Sequence, residues 1–221
     1  MTETNWTRTR TLVFDRDNAQ TMNRIAKTVF RPIYPVIAGN AMSITGISRG
    51  RCLDLGTGPA MLAMAVAQAA PGMTVTAFDF SGDSGEIAEE NIRRAGLGEQ
   101  VVTAFGDVHK MPFEDGRFDL IVSRGSMFFW KDLKSAFSEV LRVLAPGGAT
   151  YIGGGFGSLD LKNQVIKGMA KVDPAWDCYA KKKTGDDGHS KFEQMFAQLG
   201  CQDRYRIIDD DTGFWIILSK D

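Results

Sequence analysis

Residues 51–68, RCLDLGTGPAMLAMAVAQ, are the stretch of this 221-residue chain that decides its fold. It begins with three apolar residues around one aspartate, a run typical of a buried strand. Gly56 and Gly58 follow, and because they lack a Cβ the backbone can turn sharply and approach a ligand there. Pro59 and the Ala, Met and Leu residues after it favour the first turns of a helix. The stretch therefore predicts a strand, a glycine turn and a helix, with a nucleotide-like ligand over the turn.

Two ligands and a purely structural turn are compatible with this pattern. A dinucleotide site also begins with Gly-x-Gly after a strand, but it requires Gly or Ala at the sixth position, which here is Met61. The carboxylate of Asp54, two residues before the turn, would repel a pyrophosphate. The same carboxylate suits a ligand that carries an ammonium and a sulfonium, as S-adenosylmethionine does. The residues thus favour S-adenosylmethionine over a nicotinamide dinucleotide.

The sequence Asp54-x-Gly56-x-Gly58 resembles the first motif of the class I S-adenosylmethionine-dependent methyltransferases. Residues 111–119, MPFEDGRFD, are similar to the same passage in small-molecule methyltransferases related to the ubiquinone and menaquinone C-methyltransferases. The resemblance extends over roughly residues 50–155 and more loosely over the C-terminal helix and hairpin. One departure is Ala60, which replaces a frequent third glycine.

This resemblance implies an α/β fold with a Rossmann-like, doubly wound sheet of seven strands. The sheet is expected to be mostly parallel, with an antiparallel C-terminal hairpin strand and helices on both faces. Residues 1–48 are expected to form an N-terminal helical cover or lid segment, and residues 49–221 the S-adenosylmethionine-binding methyltransferase domain.

The cofactor residues are predicted at the ends of successive strands. Asp79 ends the second strand 23 residues after Gly56, close to the usual offset of about 20 for an acid that accepts from ribose hydroxyls. Residues 106–108, Gly-Asp-Val, resemble the family's adenine-binding motif, and Phe80 could pack on the adenine ring. The full predicted cofactor set is Tyr34, Asp54, Gly56, Thr57, Gly58, Asp79, Phe80, Ser81, Gly106, Asp107, Val108, Ser123 and Arg124.

An apolar acceptor pocket is predicted from residues 123–130, SRGSMFFW, at the end of the fourth strand. Phe128, Phe129 and Trp130 would line this pocket. The Asp/Asn-Pro-Pro-aromatic tetrad of enzymes that methylate bases or glutamine amides is absent there, which disfavours those acceptors. Arg124 or Arg31 would pair with the cofactor carboxylate or form a structural salt bridge.

The catalytic residue is left unassigned, because in-line methyl transfer requires mainly alignment of the acceptor and the methyl group. His109 is expected at a loop rim, facing solvent rather than acting as a base. A soft acceptor such as a thiol, or an activated carbon, needs the least help from the protein. No carboxylate cluster with a metal-ligand pattern follows the fourth strand, so no metal is expected.

Outside the motifs, helices are predicted at 22–29 and 36–44. Between them lie residues 30–35, FRPIYP, whose two prolines would impose bends. This segment would form either a lid over the ligand turn, with Tyr34 as a candidate lid residue, or a packing cover. Asp83 and Glu86 are spaced as a capping box for the helix at 83–95. Strands are also predicted at 74–78, 101–105, 120–123, 149–152, 203–208 and 214–218, and helices at 59–70, 133–144 and 192–199. Residues 153–157 are expected to form a glycine loop that crowds a ligand or flexes. In the poorly patterned segment 158–190, a solvated lysine run is expected at 181–183, and Trp176, Cys178 and Tyr179 are possible pocket residues.

Composition narrows the function class. Hydrophobic residues make up 43% and charged residues 24%, and the net charge of −1 draws the chain to neither nucleic acid nor an anionic membrane. Three cysteines are too few for a disulfide framework, and the N-terminus lacks an apolar signal core, so a cytoplasmic location is expected. A small-molecule methyltransferase is the leading hypothesis. An S-adenosylmethionine-binding protein without transfer activity and a nicotinamide-dependent oxidoreductase are the alternatives.

Overall fold

The computed structural model describes residues 15–174, 176 and 188–221. Cys178, Tyr179 and the lysines at 181–183 lie outside the described residues, as do residues 1–14. The elements in chain order are α1 (Arg16–Thr28), α2 (Ile33–Thr45), β1 (Gly50–Leu55), α3 (Met61–Ala69), β2 (Met73–Asp79), α4 (Gly82–Arg94), β3 (Val101–Phe105), β4 (Phe118–Arg124), α5 (Leu133–Val143), β5 (Leu144–Gly155), α6 (Leu159–Val172), α7 (Gly188–Gln198), β6 (Tyr205–Asp210) and β7 (Gly213–Leu218). A short 3₁₀ turn, Met127–Phe129, lies between β4 and α5.

Seven strands form one sheet in the order β3-β2-β1-β4-β5-β7-β6. The first five strands pair in parallel, whereas β7 pairs antiparallel with both β5 and β6. The predicted Rossmann-like sheet with an antiparallel hairpin is therefore confirmed. The strand order reverses between β1 and β4, and in open α/β sheets the crevice at such a point, outside the carboxyl ends of the strands, is where ligands bind.

Helices cover both faces of the sheet, because side chains of successive strand residues point to opposite faces. In β4, Leu120 and Val122 belong to the core that α1, α2, α3 and α6 share, while Ile121 belongs to the core under α5 and α7. The two N-terminal helices therefore pack on the same core as the sheet. No helix in the described part of the chain is long and apolar enough to cross a membrane.

The glycine run at 153–155 belongs to β5, which corrects the prediction of a loop there. A Cβ on Gly153 would overlap the carbonyl oxygen of Phe214 in β7, and one on Gly155 would lie 2.8 Å from the ring of Trp215. Trp215 is almost fully buried and stacks on Tyr151 with ring centroids 4.3 Å apart. These glycines are thus required by close packing against β7.

Helix ends account for the other differences from prediction. Helix α2 begins at Ile33, so Pro35 lies in its first turn, where a missing N–H leaves no intrahelical bond unmade. The N-cap of α4 is Ser81, whose hydroxyl accepts from Ser84 N, and Asp83 is not the cap. The first residues of β5 include the Pro-Gly-Gly at 146–148 that was expected to end α5, which already ends at Val143.

Helix α6 was not predicted, although the sequence carries a signal for it. Ser158 is its N-cap and accepts from Leu161 N. Leu161, Val165 and Met169 follow at intervals of four residues, and the last two are buried. A cap followed by this period is typical of an amphipathic helix.

Candidate functional site

The predicted site residues converge at the carboxyl edge of the sheet. β1, β2, β3, β4 and β5 all end at this edge because they run in parallel. The loop after β1 is held to β2 by two backbone bonds, from Gly56 N and Thr57 N to the carbonyl of Phe78, at 2.8 and 3.1 Å. Positive φ angles of 63° at Gly56, 53° at Gly58 and 61° at Ala60 make the turn tight. Ala60 thus adopts the left-handed conformation that a third glycine would adopt more easily.

Asp54 is the most buried acid of the site, with 2% of its surface exposed. Its Oδ2 accepts from the Thr57 hydroxyl at 2.6 Å and from Ala63 N at 3.1 Å. Burial raises the pKa of Asp54 to about 7, the neighbouring charge of Asp79 adds to the rise, and the bonds from Thr57 and Ala63 oppose it. A cation placed beside this carboxylate would be strongly favoured, because burial has removed the water that would otherwise solvate it.

Asp79 joins the glycine turn to the start of α4. Its Oδ2 accepts from Gly58 N at 2.8 Å and its Oδ1 from Ser81 N at 3.0 Å. Burial raises the pKa of Asp79 although these amides favour its charged form. The Gly58 side of the turn is open, since a Cβ there would meet nothing within 4 Å. Asp79 therefore holds the partly exposed backbone of the glycine turn in place.

The loop after β4 is fixed to the loop after β1 through one carbonyl oxygen. The hydroxyls of Ser123 and Ser126 donate to the carbonyl of Leu55 at 2.8 and 2.9 Å, and they lie 2.7 Å from each other. A Cβ on Gly56 would lie 2.6 Å from the Ser126 hydroxyl oxygen, so the two loops are in contact. Sequence reasoning missed Ser126, and its position three residues after Ser123 is the only signal for it.

Arg124 lies beneath the corner between α1 and α2. Its guanidinium is 4.4 Å from the ring centroid of Phe30 and 5.7 Å from that of Phe156, and its Nε donates to the carbonyl of Gly155 at 3.3 Å. Tyr34 is buried on α2 near Arg124: burial raises its pKa, and the positive charge of Arg124 opposes the rise. The other arginine considered for this role, Arg31, is exposed.

The segment after β3 presents a carboxylate at the same edge. Gly106 N donates to the carbonyl of Asp79 at 3.0 Å, and its Cα packs so closely on Phe78 that a Cβ would come within 2.9 Å of the ring. The side chain of Asp107 is 67% exposed, whereas that of His109 is only 22% exposed. His109 is thus partly exposed at this loop rather than fully facing solvent as expected. Val108 is partly buried against the α5 side of the core.

The aromatic residues after β4 occupy three different environments. Phe128 lies against β5, where a Cβ on Gly154 would fall 2.5 Å from its ring. Phe129 is 50% exposed. Trp130 makes an edge contact with Phe137 of α5, with ring centroids 5.7 Å apart. The run thus combines two packed rings with one that is open to solvent, as Phe80 is at 52% exposure.

Comparison with known proteins gives a consistent picture. A family profile described as "Methyltransferase domain" matches residues 52–148. A solved structure from Methanococcus maripaludis, named provisionally as an S-adenosyl-L-methionine-dependent methyltransferase, is 42% identical with a TM-score of 0.89, and the match covers 97% of each chain.

Two curated relatives match the central part of the chain. The demethylmenaquinone methyltransferase of Thermus thermophilus is 37% identical over 102 residues, 46% of this chain and 46% of that protein. The malonyl-[acyl-carrier protein] O-methyltransferase of Geobacter sulfurreducens is 33% identical over 103 residues, 47% of this chain and 38% of that protein. The matches therefore span less than half the length of these two relatives.

Proposed function

Because the chain belongs to the S-adenosylmethionine-dependent methyltransferase family, we propose that it transfers a methyl group from this cofactor to a small-molecule acceptor. The observation that carries the proposal is the glycine turn at 56–58, fixed between the buried carboxylates of Asp54 and Asp79 where the strand order reverses. The nearly full-length similarity to the Methanococcus maripaludis protein supports the same conclusion.

The chemistry of these residues fits the cofactor. Asp54 and Asp79 are buried acids whose pKa values are raised, so a ligand with a sulfonium and an ammonium would compensate their negative charge. The open face of Gly58 allows the ligand to approach the backbone. In this proposal Asp79 accepts from ribose hydroxyls, Asp107 from the adenine amino group, and the exposed ring of Phe80 covers the adenine.

Other predicted residues hold the proposed ligand-binding groups in position. Thr57 fixes the Asp54 carboxylate, Ser81 caps α4 beside Asp79, and Ser123 holds the Leu55 carbonyl. Arg124, held between two phenyl rings near Tyr34, is the group we assign to the cofactor carboxylate.

When bound, the cofactor supplies a methyl group on a positively charged sulfur. The protein's part is to align the acceptor, and correct placement of two reactants is worth about 7–11 kcal/mol of the barrier. Phe128, Phe129 and Trp130 would line the acceptor side and exclude water. Their apolar character supports an acceptor with a substantial apolar portion.

The accepting atom is a soft one in this proposal, such as a thiol sulfur or an activated carbon. The chain has two histidines, and both are engaged by carboxylates. His189 pairs with Asp209 of β6 at 3.0 Å, and His109 with Asp107. Both ring nitrogens of His109 are occupied, and β6 is the edge strand of the sheet, separated from β4 by β5 and β7, so neither histidine is placed to take a proton from an acceptor beside the glycine turn. A thiol, which ionises readily, or an activated carbon therefore fits better than an alcohol or an amine.

Thermal stabilisation tests the proposal. S-adenosylmethionine and S-adenosylhomocysteine at 100 times their dissociation constants should stabilise the native state by about 2.7 kcal/mol, which raises the melting temperature by roughly 5–10 °C. Oxidised nicotinamide dinucleotide serves as the control and should leave the melting temperature unchanged. A shift with the dinucleotide alone would favour an oxidoreductase.

Turnover is then followed as S-adenosylhomocysteine release across thiol, quinol and other activated-carbon acceptors. Release with at least one acceptor class is the expected result. Stabilisation by the cofactor with no release for any class would favour a protein that binds S-adenosylmethionine without transferring its methyl group.

Replacing Asp79 by Asn should weaken S-adenosylhomocysteine binding about 10- to 100-fold, because the hydrogen bonds of a charged acceptor to the ribose are lost. The amide oxygen of Asn can still accept from one of the two amides that Asp79 holds, so the fold should persist. Isothermal titration calorimetry measures the change. Asp83→Asn is the matched control, since Asp83 lies on the first turn of α4 and its carboxylate is 3.8 Å from the guanidinium of Arg16. Equal binding by Asp79→Asn and the wild-type protein would contradict the ribose assignment.

A further inference from the structure

His109 links the proposed adenine segment to the beginning of α5. Its backbone N–H donates to Asp107 Oδ1 at 2.9 Å, and its ring Nδ1 lies 2.5 Å from the same oxygen. On the other side of the ring, Nε2 lies 3.2 Å from the backbone N of Asp132. Asp132 is the N-cap of α5, and its carboxylate accepts from Ser135 N at 3.1 Å.

These contacts determine which ring nitrogen carries the proton. The N–H of Asp132 can only donate, so Nε2 of His109 must be the unprotonated acceptor. Nδ1 then carries the hydrogen and donates it to Asp107. The two donations from His109 hold the pKa of the Asp107 carboxyl below its usual range. Asp107 is consequently an ionised, acceptor-only group with a fixed orientation.

A fixed acceptor discriminates between purines. Oδ1 of Asp107 receives both bonds from His109, which leaves Oδ2 of this largely exposed carboxylate for a ligand. An adenine offers an amino group at position 6, which can donate to that oxygen. A hypoxanthine offers a carbonyl at the same position, and two acceptors facing each other repel. A site built to receive a hydrogen bond rejects an analogue that cannot supply it.

We propose that His109 is a positioning residue that makes the cofactor site selective for a 6-amino purine over a 6-oxo purine, by orienting Asp107 from an anchor on the N-terminus of α5. This proposal rests on the proposed function, since it requires that Asp107 face the cofactor base. His109 does not touch the ligand itself, and it acts through the carboxylate alone.

Three substitutions separate the two hydrogen bonds of the His109 ring, while all of them keep the backbone N–H that donates to Asp107 Oδ1. His109→Asn keeps a side-chain N–H donor at the position of Nδ1, next to Asp107, but cannot reach Asp132. His109→Gln offers an acceptor near the position of Nε2 but no side-chain donor to Asp107. His109→Ala removes both ring bonds. His189→Ala is the matched control, because His189 is the other histidine of the chain and pairs with Asp209.

The experiment measures the dissociation constants of S-adenosylhomocysteine and S-inosylhomocysteine, its 6-oxo counterpart, for each protein by calorimetry. The wild-type protein and His189→Ala should prefer the adenosyl ligand by at least about tenfold. His109→Ala and His109→Gln should lose most of this preference, and His109→Asn should keep most of it. Only an effect on orientation changes the ratio, because a general loss of structure weakens both ligands alike.

Three results would overturn the proposal. An unchanged ratio in His109→Ala, at whatever affinity, would leave His109 with a purely structural role. If His109→Asn lost the preference for the adenosyl ligand as fully as His109→Ala, the side-chain donor to Asp107 would not be the cause of that preference. Wild-type protein that bound neither ligand would overturn the proposed function as well, and this outcome is distinct from the other two.

Discussion

The variant Gly153→Ala is expected to lose about 3 kcal/mol of stability, a large part of the 5–15 kcal/mol that a typical domain possesses. The added Cβ would overlap the carbonyl oxygen of Phe214 and lie 2.9 Å from Trp215 Cα. Both atoms belong to the backbone of β7, which pairs with β5 at this position. No side-chain rotation can relieve the overlap, so the strands would have to separate and the buried ring of Trp215 would lose its packing.

A thermal melt measures this loss, and a decrease of roughly 6–12 °C is expected for a chain of this size. Gly39→Ala is the matched control, because Gly39 is an exposed residue of α2 and a Cβ there would meet nothing within 4 Å. Alanine should stabilise a helix at such a position by about 0.5–1 kcal/mol. If the Gly153→Ala protein had the same melting temperature as the wild type, β5 and β7 would not be as closely packed as described.

Replacing Asp54 by Asn should make the protein more stable than the wild type at pH 8. The pKa of Asp54 is raised by burial from 3.8 to about 7, and a difference of this size corresponds to about 4 kcal/mol. The native state keeps its proton up to about pH 7, while the unfolded chain loses it near pH 4. The contribution of Asp54 to wild-type stability therefore falls as the pH rises through this window and levels off above it.

Asn carries no charge and still offers an oxygen to Ala63 N, so the variant should not show this fall. The free energy of unfolding of both proteins is measured in urea at pH 4.5, 6 and 8. The advantage of the variant should grow with pH and approach a few kcal/mol at pH 8. Asp203→Asn, the same substitution at an exposed residue, provides the control. A difference between Asp54→Asn and wild type that is independent of pH would contradict a raised pKa.

Local sequence patterns were sufficient to predict most of the helices and strands. Strand β3 has the bounds predicted for it, Val101–Phe105, and the strand-turn-helix at 51–68 is the one observed. Apolar runs and glycine turns are properties of neighbouring residues, so a sequence displays them directly. The family resemblance implied seven strands, mostly parallel with an antiparallel C-terminal hairpin strand, and the structure confirms this arrangement.

What could not be predicted depends on residues distant in sequence. The glycines at 153–155 favour a loop when they are read locally. They are glycines because a larger side chain there would clash with β7, Trp215 or Phe128. The sequence has no local sign of which residue will lie opposite. The start of α2 differs from the predicted one for another reason: Pro35 favours a bend when it is read locally, whereas a proline in the first turn of a helix is tolerated.

The same limit applies to the site. The acids at the strand ends, Asp54 and Asp79, could be named because their positions follow from the ends of β1 and β2. The partners of these acids, and the roles of Ser126 and His109, depend on how separate loops meet. A histidine two residues after an aspartate is compatible with many arrangements, and only the position of α5 selects the one observed.

The shared Leu55 carbonyl has a consequence for attempts to redesign the enzyme. Since Ser123 and Ser126 both donate to it, the loop that would face the acceptor is fixed to the loop that would hold the cofactor. Random mutagenesis across residues 123–130 would therefore damage cofactor binding in many clones before any new acceptor preference could emerge. A library confined to Phe128, Phe129 and Trp130, with both serines kept, would let acceptor choice vary while the cofactor loop stays intact.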